Sequence, residues 1–430
     1  MMWQWWCSHG PPSFSRGAVF ILPQTPPTIR CSPDVHTDLN TLYSFMPALI
    51  AAHSFCRFDP MSGAQRTLLG LTRDELADFT ESIGEPRYRG HQLFHWMYTR
   101  GATSFGEMTD LGKAFRGQLD RAASIGGISL VTRQISIRDK TAKFLFGLQD
   151  GLKIECVLIP PASAFETDKP ERNDEQRRLT LCVSTQVGCP LDCKFCATGT
   201  MAFRRNLTAG EIVDQLRQVQ RTTRNKITNV VCMGMGEPLL NYENVMKTVD
   251  ILATGIGIAP RRITVSTAGW AEGIRRMAEE RRRPKLALSL HSATEETRLL
   301  LMPVTKKFGL ADLKKALEYY YRRTKQRVTY EYIFFDGVND TENEVRALVK
   351  FARAIPCKIN VIPFHSIAFT GVGGYAAELR PSPRVKEIVE RLRSLDLTVM
   401  VRTSAGEDIE GACGQLAVMD AERRLVTTVR

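Results

Sequence analysis

The chain has 430 residues, of which 43% are hydrophobic and 24% are charged, so it has enough apolar side chains for a sizeable globular core. Lysine and arginine outnumber aspartate and glutamate by 58 to 46, which gives a net charge of +12 at pH 7 and indicates a polyanionic partner such as nucleic acid. The composition excludes a membrane or secreted disulfide-rich class, because no apolar stretch is long enough to cross a bilayer, no secretory signal is evident, and the 11 cysteines are an odd number. We therefore expect reduced thiols in the cytoplasm.

The first 60 residues differ from the rest of the chain. They carry no net charge, and three of the five tryptophans fall at Trp3, Trp5 and Trp6. We expect a disordered leader or translated sequence upstream of the true start, for which Met61 is a candidate. A transit peptide for organellar import is the alternative, since the segment is poor in acids, although its few arginines count against it.

Residues 65–122 are predicted to form a small helical domain. Thr72 and Glu75 have the spacing of a capping box before an apolar run. Several basic residues give this region a positive side, so we interpret it as an RNA-binding accessory domain, with an ordinary solvated face as the alternative. Strand patterns at 128–160 predict a short β-hairpin extension, and the charged stretch 160–178 predicts an exposed loop.

From residue 179 onward, strands and helices alternate. Thr208 with Glu211 and Thr341 with Glu344 have capping-box spacing at the start of two helices. Alternation of this kind indicates βαβ units and a parallel sheet. Six or seven units are too many for a small open sheet and too few for an eight-fold barrel, so we predict an α/β fold with a partial (βα)6-type barrel. The predicted strands are 179–185, 227–233, 263–266, 285–290, 328–335, 358–362 and 397–402.

Cys189, Cys193 and Cys196 form a C-x3-C-x2-C motif in the loop after the first of these strands. Three thiolates can hold three irons of a four-iron cubane, although most such clusters take four cysteines. No fourth Cys or His follows at ligand spacing, so one iron would be open to another ligand. The alternative is a zinc site completed by a distant residue, in a non-catalytic RNA-binding protein.

The motif is the signature of radical S-adenosylmethionine (SAM) enzymes, and from about residue 68 to about residue 416 the chain resembles the RlmN family of adenosine C2 methyltransferases. The resemblance implies a [4Fe–4S] cluster and SAM as cofactors. It also implies a radical SAM core at 175–408 and a C-terminal segment at 409–430 that carries a methyl-carrier cysteine. The resemblance rests on LCVS at 181–184, MGMGEP at 233–238 with Asn241, ST at 266–267, SLH at 289–291 and GACGQL at 411–416.

These motifs each lie at or after the C-terminal end of a predicted strand. In a parallel barrel such ends meet on one face, where active sites lie, so we predict a single pocket. The family usually has asparagine where this chain has His365, and histidine would keep a hydrogen bond with different geometry and pH dependence. The predicted SAM contacts are Gly236, Glu237, Ser266, Ser289, Leu290, His291 and His365.

The resemblance implies catalytic roles for Cys413, Cys182 and Glu155. Cys413 would take a methyl group from one SAM, and a radical formed from a second SAM at the reduced cluster would take a hydrogen from that methyl group. The resulting carbon radical would add to adenine, whose C2 is too electron-poor for polar methyl transfer. Cys182 would resolve the protein–RNA adduct, ending in a Cys182–Cys413 disulfide, and Glu155 would accept a proton. Without the resemblance, Cys182 is a buried strand cysteine, Glu155 is a surface carboxylate, and Cys156, Cys232 and Cys357 are core residues.

The family further implies that a cytoplasmic monomer methylates 23S rRNA at the peptidyl-transferase centre and tRNA next to the anticodon. Its electrons would come from a donor such as flavodoxin or ferredoxin. The target base must leave its strand to reach a deep pocket. A C8-specific adenosine methyltransferase, of the type that confers ribosomal antibiotic resistance, is the nearest alternative. The candidate phosphate contacts are Arg204-Arg205, Arg275-Arg276, Arg281–Arg283 and Lys306-Lys307.

Overall fold

The computed structural model describes residues 65–161 and 178–418. The expectations for residues 1–60, for most of the loop 160–178 and for residues 419–430 therefore lie outside the described residues. Within the described ranges, no helix is both long enough and apolar enough to cross a membrane.

A small helical layer precedes the main sheet and has its own apolar core. Thr72 accepts the amide of Glu75, and the Glu75 carboxylate accepts the amide of Thr72, so the first helix has the predicted capping box. Val213 and Ile251, from two later helices, pack into this core and hold the layer against the rest of the protein. Its elements are β1 (Arg66–Thr67), α1 (Arg73–Ser82), α2 (Arg87–Phe94), a π-helical turn (His95–Thr99), α3 (Lys113–Ala122) and β2 (Ala123–Ser124), which pairs with β1.

Over the described residues, the remaining strands form one ten-stranded sheet and a short ribbon. The ribbon holds the loop that carries the cysteine motif. The strands are β3 (Ser129–Ile135), β4 (Ala142–Gly147), β5 (Lys153–Ile159), β6 (Thr180–Cys182), β7 (Gln186–Val187) and β8 (Arg205–Asn206), which make the ribbon, β9 (Asn229–Cys232), β10 (Ile263–Thr267), β11 (Lys285–Ser289), β12 (Val328–Tyr332), β13 (Cys357–Val361) and β14 (Val399–Val401).

The sheet order is β14-β13-β12-β11-β10-β9-β6-β5-β4-β3. Seven strands of this sheet, β6 and β9 to β14, are parallel to their neighbours in this series. They correspond to the seven predicted strands. β3, β4 and β5 continue the same sheet in antiparallel register, so the predicted hairpin is a three-stranded extension. The predicted α/β fold with a partial barrel is confirmed.

Helices between the parallel strands cover the sheet. Thr208 and Glu211 form a complete capping box. Thr341 accepts the amide of Glu344, but the Glu344 carboxylate accepts the Ser292 hydroxyl at 2.9 Å instead of returning to its own N-cap. The third predicted box is therefore half formed, because a non-local partner takes the carboxylate. The helices are α4 (Ala209–Thr223), α5 (Tyr242–Ile251), α6 (Ala271–Glu279), α7 (Glu295–Leu301), α8 (Leu310–Thr324), α9 (Glu342–Ala352), α10 (Tyr375–Glu378) and α11 (Val385–Ser394).

The antiparallel extension contacts the segment that follows β14, at the other end of the sheet order. The Asp139 carboxylate accepts the amide of Gly406 at 2.7 Å. Lys143 Nζ donates to the carbonyl oxygen of Glu410 at 3.3 Å. The extension thus holds the base of the segment that carries Cys413.

Candidate active site

A pocket opens at the C-terminal ends of the parallel strands, the face on which a barrel of this kind places its site. Nine of the 13 predicted site residues line it, together with backbone and side chains of the neighbouring loops. The nine are Cys189, Cys193, Cys196, Gly236, Glu237, Ser266, Ser289, His291 and Cys413.

The three cysteines of the motif lie on a tightly turned loop between the strands of the ribbon. Gly188 and Asp192 both have left-handed backbone, at φ +72° and +50°. The amide of Cys196 donates to the carbonyl of Cys193 at 3.1 Å. A Cβ at Gly199 would lie 2.9 Å from that same carbonyl oxygen, so only glycine allows the loop to close this tightly.

The thiols of Cys189, Cys193 and Cys196 share one environment. Burial raises the pKa of each thiol, so thiolates here need a cation to stabilise them. Among the described residues, no three Cys, His, Asp or Glu side chains converge on a site for one metal ion. A cubane takes one cysteine on each iron, so three thiols around one pocket fit a cluster without meeting at a single point.

Glu237 is held by backbone amides at the wall of the pocket. Its Oε1 accepts the amide of Leu239 at 3.0 Å, and its Oε2 accepts the amide of Ala268 at 2.7 Å. Burial raises the pKa of Glu237 to about 7, and these hydrogen bonds oppose the rise. The preceding Gly236 has φ +99°, and a Cβ there would lie 2.5 Å from the Gln186 Cβ. The glycine therefore sets the tight turn that presents the carboxylate.

Ser266 and Ser289 end two adjacent strands, and their hydroxyl oxygens are 3.5 Å apart. His291 follows the second strand with a left-handed φ of +54°. Burial lowers the pKa of His291 to about 3, and its Nδ1 accepts the amide of Ile333 at 3.1 Å. The imidazole is therefore neutral, with its proton on Nε2. The ring of Phe195, from the cysteine motif, packs edge-on at 4.5 Å between centroids.

The segment that carries Cys413 docks directly on the cysteine loop. The amide of Ala197 donates to the carbonyl of Gly414 at 2.6 Å, and the Thr198 hydroxyl donates to the carbonyl of Leu416 at 2.6 Å. Cys413 itself is exposed and lines the pocket. A thiol that lines the pocket on a glycine-flanked turn suits a group that must reach more than one partner.

Cys182 ends β6 and is buried, and it is not one of the residues that line the pocket. Burial raises its pKa, and the neighbouring thiol of Cys413 raises it further. Desolvation by the surrounding protein raises the pKa of Cys413 to about 11, while Arg402 lowers it. Arg402 also lowers the pKa of Cys182, so one cation acts on both thiols.

Glu155 on β5 is 1% exposed, so the interpretation of it as a surface carboxylate is wrong. Its Oε1 lies 3.5 Å from Lys143 Nζ. Its Oε2 accepts the amide of Ala417, in the C-terminal segment, at 3.1 Å. The carboxylate therefore lies between the antiparallel extension and the segment that carries Cys413.

Leu290 and His365 do not line the pocket. Leu290 is fully buried in the main apolar core, because it points to the opposite side of its strand end from Ser289. His365 is buried, with Nδ1 3.5 Å from Glu407 Oε1 and without a hydrogen bond in the part of the chain that the structure describes. The predicted contacts of Leu290 and His365 with SAM stay predictions.

Two titratable residues that the predicted site did not include also line the pocket. Glu331 on β12 is buried and lines the pocket, and Asn360 Nδ2 donates to its Oε2 at 2.7 Å. Burial raises the pKa of Glu331. Cys232 is buried in the main apolar core, as predicted, and it also lines the pocket. A carboxylate inside an apolar strand and a cysteine directly before MGMGEP were the available signals.

The partial barrel and its three-cysteine pocket define the radical SAM class of enzymes. A model described as the radical SAM superfamily matches residues 183–352, and one described as the ribosomal RNA large subunit methyltransferase N-terminal domain matches residues 66–125. A solved radical SAM methyltransferase from Sphaerobacter thermophilus is 38% identical with a TM-score of 0.72, over 82% of this chain and 99% of that one.

Curated relatives cover nearly the same span. The probable dual-specificity RNA methyltransferase RlmN of Flavobacterium johnsoniae is 41% identical over 83% of this chain and 99% of its own length. The dual-specificity RNA methyltransferase RlmN of Syntrophobacter fumaroxidans is 42% identical over 80% of this chain and 96% of its own. The chain belongs to the RlmN family and is a radical SAM methyltransferase. The family uses a [4Fe–4S] cluster and SAM, and the three thiols of the motif fit the cluster.

Proposed function

We propose that this protein methylates C2 of adenosine in 23S rRNA, at the peptidyl-transferase centre, and in tRNA next to the anticodon. The relatives are named as RNA methyltransferases of dual specificity, which supports two RNA substrates. The observation that carries the proposal is the position of Cys413 in a pocket that four other cysteines line, three of them from the motif, with Cys182 near enough for the Cys413 thiol to affect its pKa. Two thiols beyond the cluster ligands are what a route through a methylated cysteine and a covalent adduct requires.

Cys413 is the methyl carrier in this proposal. When bound, the cluster and SAM supply an electrophilic methyl group and a radical that abstracts hydrogen. The Cys413 thiol would lose its proton to solvent, and the thiolate would attack the methyl carbon of the sulfonium. A sulfur–carbon bond would form while the sulfonium–methyl bond of SAM breaks and S-adenosylhomocysteine leaves. After one hydrogen atom is removed from that methyl group, its carbon bonds to adenine C2 and joins RNA and protein. The exposure of Cys413 in the pocket supports this role.

Cys182 and Glu155 complete the reaction. Glu155 accepts the proton that leaves adenine C2, and the unpaired electron of the adduct would return to the oxidised cluster, so the adenine ring is restored. Cys182 attacks the sulfur of Cys413, which forms the disulfide and breaks the bond from that sulfur to the transferred carbon. The released carbon takes a proton and becomes the methyl group. The burial of Glu155 against Lys143 and the Ala417 amide, next to the carrier segment, supports its position for this step.

We also propose that the helical layer contacts the RNA backbone, as its basic side would favour.

The candidate arginines of the main domain are not all equally suited to a phosphate contact. Arg205 pairs with Asp150 and Glu211, and Arg276 pairs with Glu243. These side chains brace neighbouring elements, so Arg204 is a better candidate than Arg205 for a phosphate contact.

Anaerobic reconstitution tests the proposed function. Purified protein, SAM, a flavodoxin or ferredoxin reductant and 23S rRNA or tRNA are incubated under argon, and nucleosides are separated by mass spectrometry. We expect about four irons per chain and 2-methyladenosine in both RNAs. 8-Methyladenosine would establish the C8-specific alternative. A colourless zinc protein without product would refute both the C2-specific and the C8-specific methyltransferase hypotheses. Gel filtration of the same sample tests the proposed monomer.

A further inference from the structure

Arg298 on α7 is a fully buried cation held by neutral groups. Its guanidinium donates to the carbonyl oxygens of Ala268 at 2.6 Å, Ser289 at 3.3 Å and Leu290 at 3.2 Å, and to the Thr305 hydroxyl at 2.7 Å. Within residues 65–161 and 178–418, none of the hydrogen-bond acceptors of this guanidinium is a carboxylate. Hydrogen bonds therefore satisfy its donors, but nothing among these four acceptors balances its charge.

The helix that carries Arg298 packs on the cysteine loop. The carbonyl of Leu301, the last residue of α7, accepts the amide of Lys194 at 3.0 Å, inside the C-x3-C-x2-C motif. Leu301 and the next residue, Met302, belong to an apolar cluster against which Cys193 packs. The titratable groups that interact with the charge of Arg298 from its surroundings include His291, which is neutral, and Glu295, which is exposed at the start of α7.

A buried charge without a counter-charge is strongly unfavourable. Arginine does not relieve this by losing its proton, because its guanidinium stays protonated in proteins. The exposed carboxylate of Glu295 is screened by solvent and compensates little. An iron–sulfur cluster held by the thiolates of Cys193 and the other two cysteines of the motif would supply the negative charge that compensates Arg298.

We propose that Arg298 is the buried counter-cation of the [4Fe–4S] cluster and that its charge makes one-electron reduction of the cluster easier. The cluster takes one electron from an external donor and becomes more negative by one charge, which a nearby cation stabilises. The net charge and hydrogen bonding around a cluster are known determinants of its potential. Arg298 acts through the cluster and does not touch the RNA, so it is a positioning residue. The inference rests on the family's cofactor and not on the identity of the RNA target.

A purely structural role for Arg298 makes a different prediction. Its hydrogen bonds join the ends of β10 and β11, so the side chain could serve only to fix the pocket wall. Arg298→Gln keeps two donors and removes the charge, whereas Arg298→Lys keeps the charge and loses the planar donor fork. Arg391→Met is the control, since it removes the same charge from an exposed side chain on α11.

The experiment is a redox titration of each reconstituted holoenzyme with dithionite and mediators, followed by the electron paramagnetic resonance signal of the reduced cluster. We expect the equilibrium constant for reduction to fall about tenfold in Arg298→Gln, a shift of about 59 mV to lower potential for one electron. Arg298→Lys should shift it much less, and Arg391→Met should not shift it.

An unchanged potential in an iron-replete Arg298→Gln protein overturns the proposal. If only the lysine variant retains iron, the charge is needed to hold the cluster, which supports it. If neither variant retains iron, Arg298 is a structural residue and the proposal fails. RNA is absent from this assay, so its outcome is independent of the proposed RNA target.

Discussion

The thiol of Cys413 lies close enough to the thiol of Cys182 to raise its pKa, although one residue ends the first parallel strand and the other follows the last. Two hydrogen bonds from the cysteine loop, to the carbonyls of Gly414 and Leu416, hold the C-terminal segment at this place. A disulfide needs its two Cβ atoms within about 4.5 Å. The proposed resolution step therefore requires the two thiols to approach each other to that distance.

Cys413→Ala should abolish methyl transfer and leave the cluster in place. The side chain lines the pocket but belongs to a different segment from the three cysteines of the motif. Iron content and nucleoside analysis measure the two effects separately. Cys357→Ala is the control, since Cys357 is buried at the start of β13 and should keep most of the activity. Any methylated adenosine formed by the Cys413 variant would contradict the carrier role.

Cys182→Ala should stop the reaction after the carrier carbon has bonded to RNA. Without a second thiol, the sulfur of Cys413 is not released, so a covalent protein–RNA complex should accumulate. Denaturing gel electrophoresis with labelled RNA detects that complex, and ribonuclease digestion should leave one modified nucleotide on the protein. Repeated turnover with no trapped complex would show that Cys182 is only a buried strand residue.

The first methyl transfer to Cys413 should accelerate with pH. The pKa of about 11 means that the thiol is mostly protonated at pH 7, and only the thiolate is nucleophilic. Below that pKa the thiolate fraction rises about tenfold per pH unit. Single-turnover methylation, measured by intact-protein mass spectrometry between pH 7 and pH 9, should follow this slope.

Arg402 opposes this rise, because desolvation raises the pKa of Cys413 and Arg402 is the cation that lowers it. Arg402→Gln should therefore raise the pKa and slow methylation at every pH in this range, while Arg402→Lys should preserve much of the rate. Equal iron content in the variants is the required control. A rate that does not depend on pH, or on the charge at position 402, would contradict this account.

The sequence predicts the strands, helices and cysteine motif of this molecule better than the polar contacts between them. The C-x3-C-x2-C spacing and the two complete capping boxes are local patterns, so the chain reveals them directly. Leu290 shows the limit of a motif, because position at a strand end does not tell which side chain faces the pocket. Glu331 has no motif around it, and its role in the pocket depends on strand order. Glu344 leaves its predicted local partner for Ser292, which only the folded chain brings near.

The buried pair of Lys143 and Glu155 is the contact that sequence reasoning had least access to, since it depends on how β4 and β5 align. Lys143→Met should be destabilising by about 3 kcal/mol, because removing one partner of a buried ion pair leaves the other charge poorly compensated. The loss should appear as a lower melting temperature of the holoenzyme.

Lys143→Met should also slow the step that follows addition of the carrier carbon to adenine. Lys143 Nζ also donates to the Glu410 carbonyl, so its loss removes the cation beside the proposed proton acceptor and one tie to the carrier segment. We expect methylation of Cys413 to continue while the covalent RNA complex accumulates. Glu155→Gln should have the same effect, because it removes the proposed proton acceptor itself. Lys143→Arg keeps the charge and should restore turnover in part. A Lys143→Met enzyme that loses methylation of Cys413 and RNA turnover in equal measure would show that this pair only supports the fold.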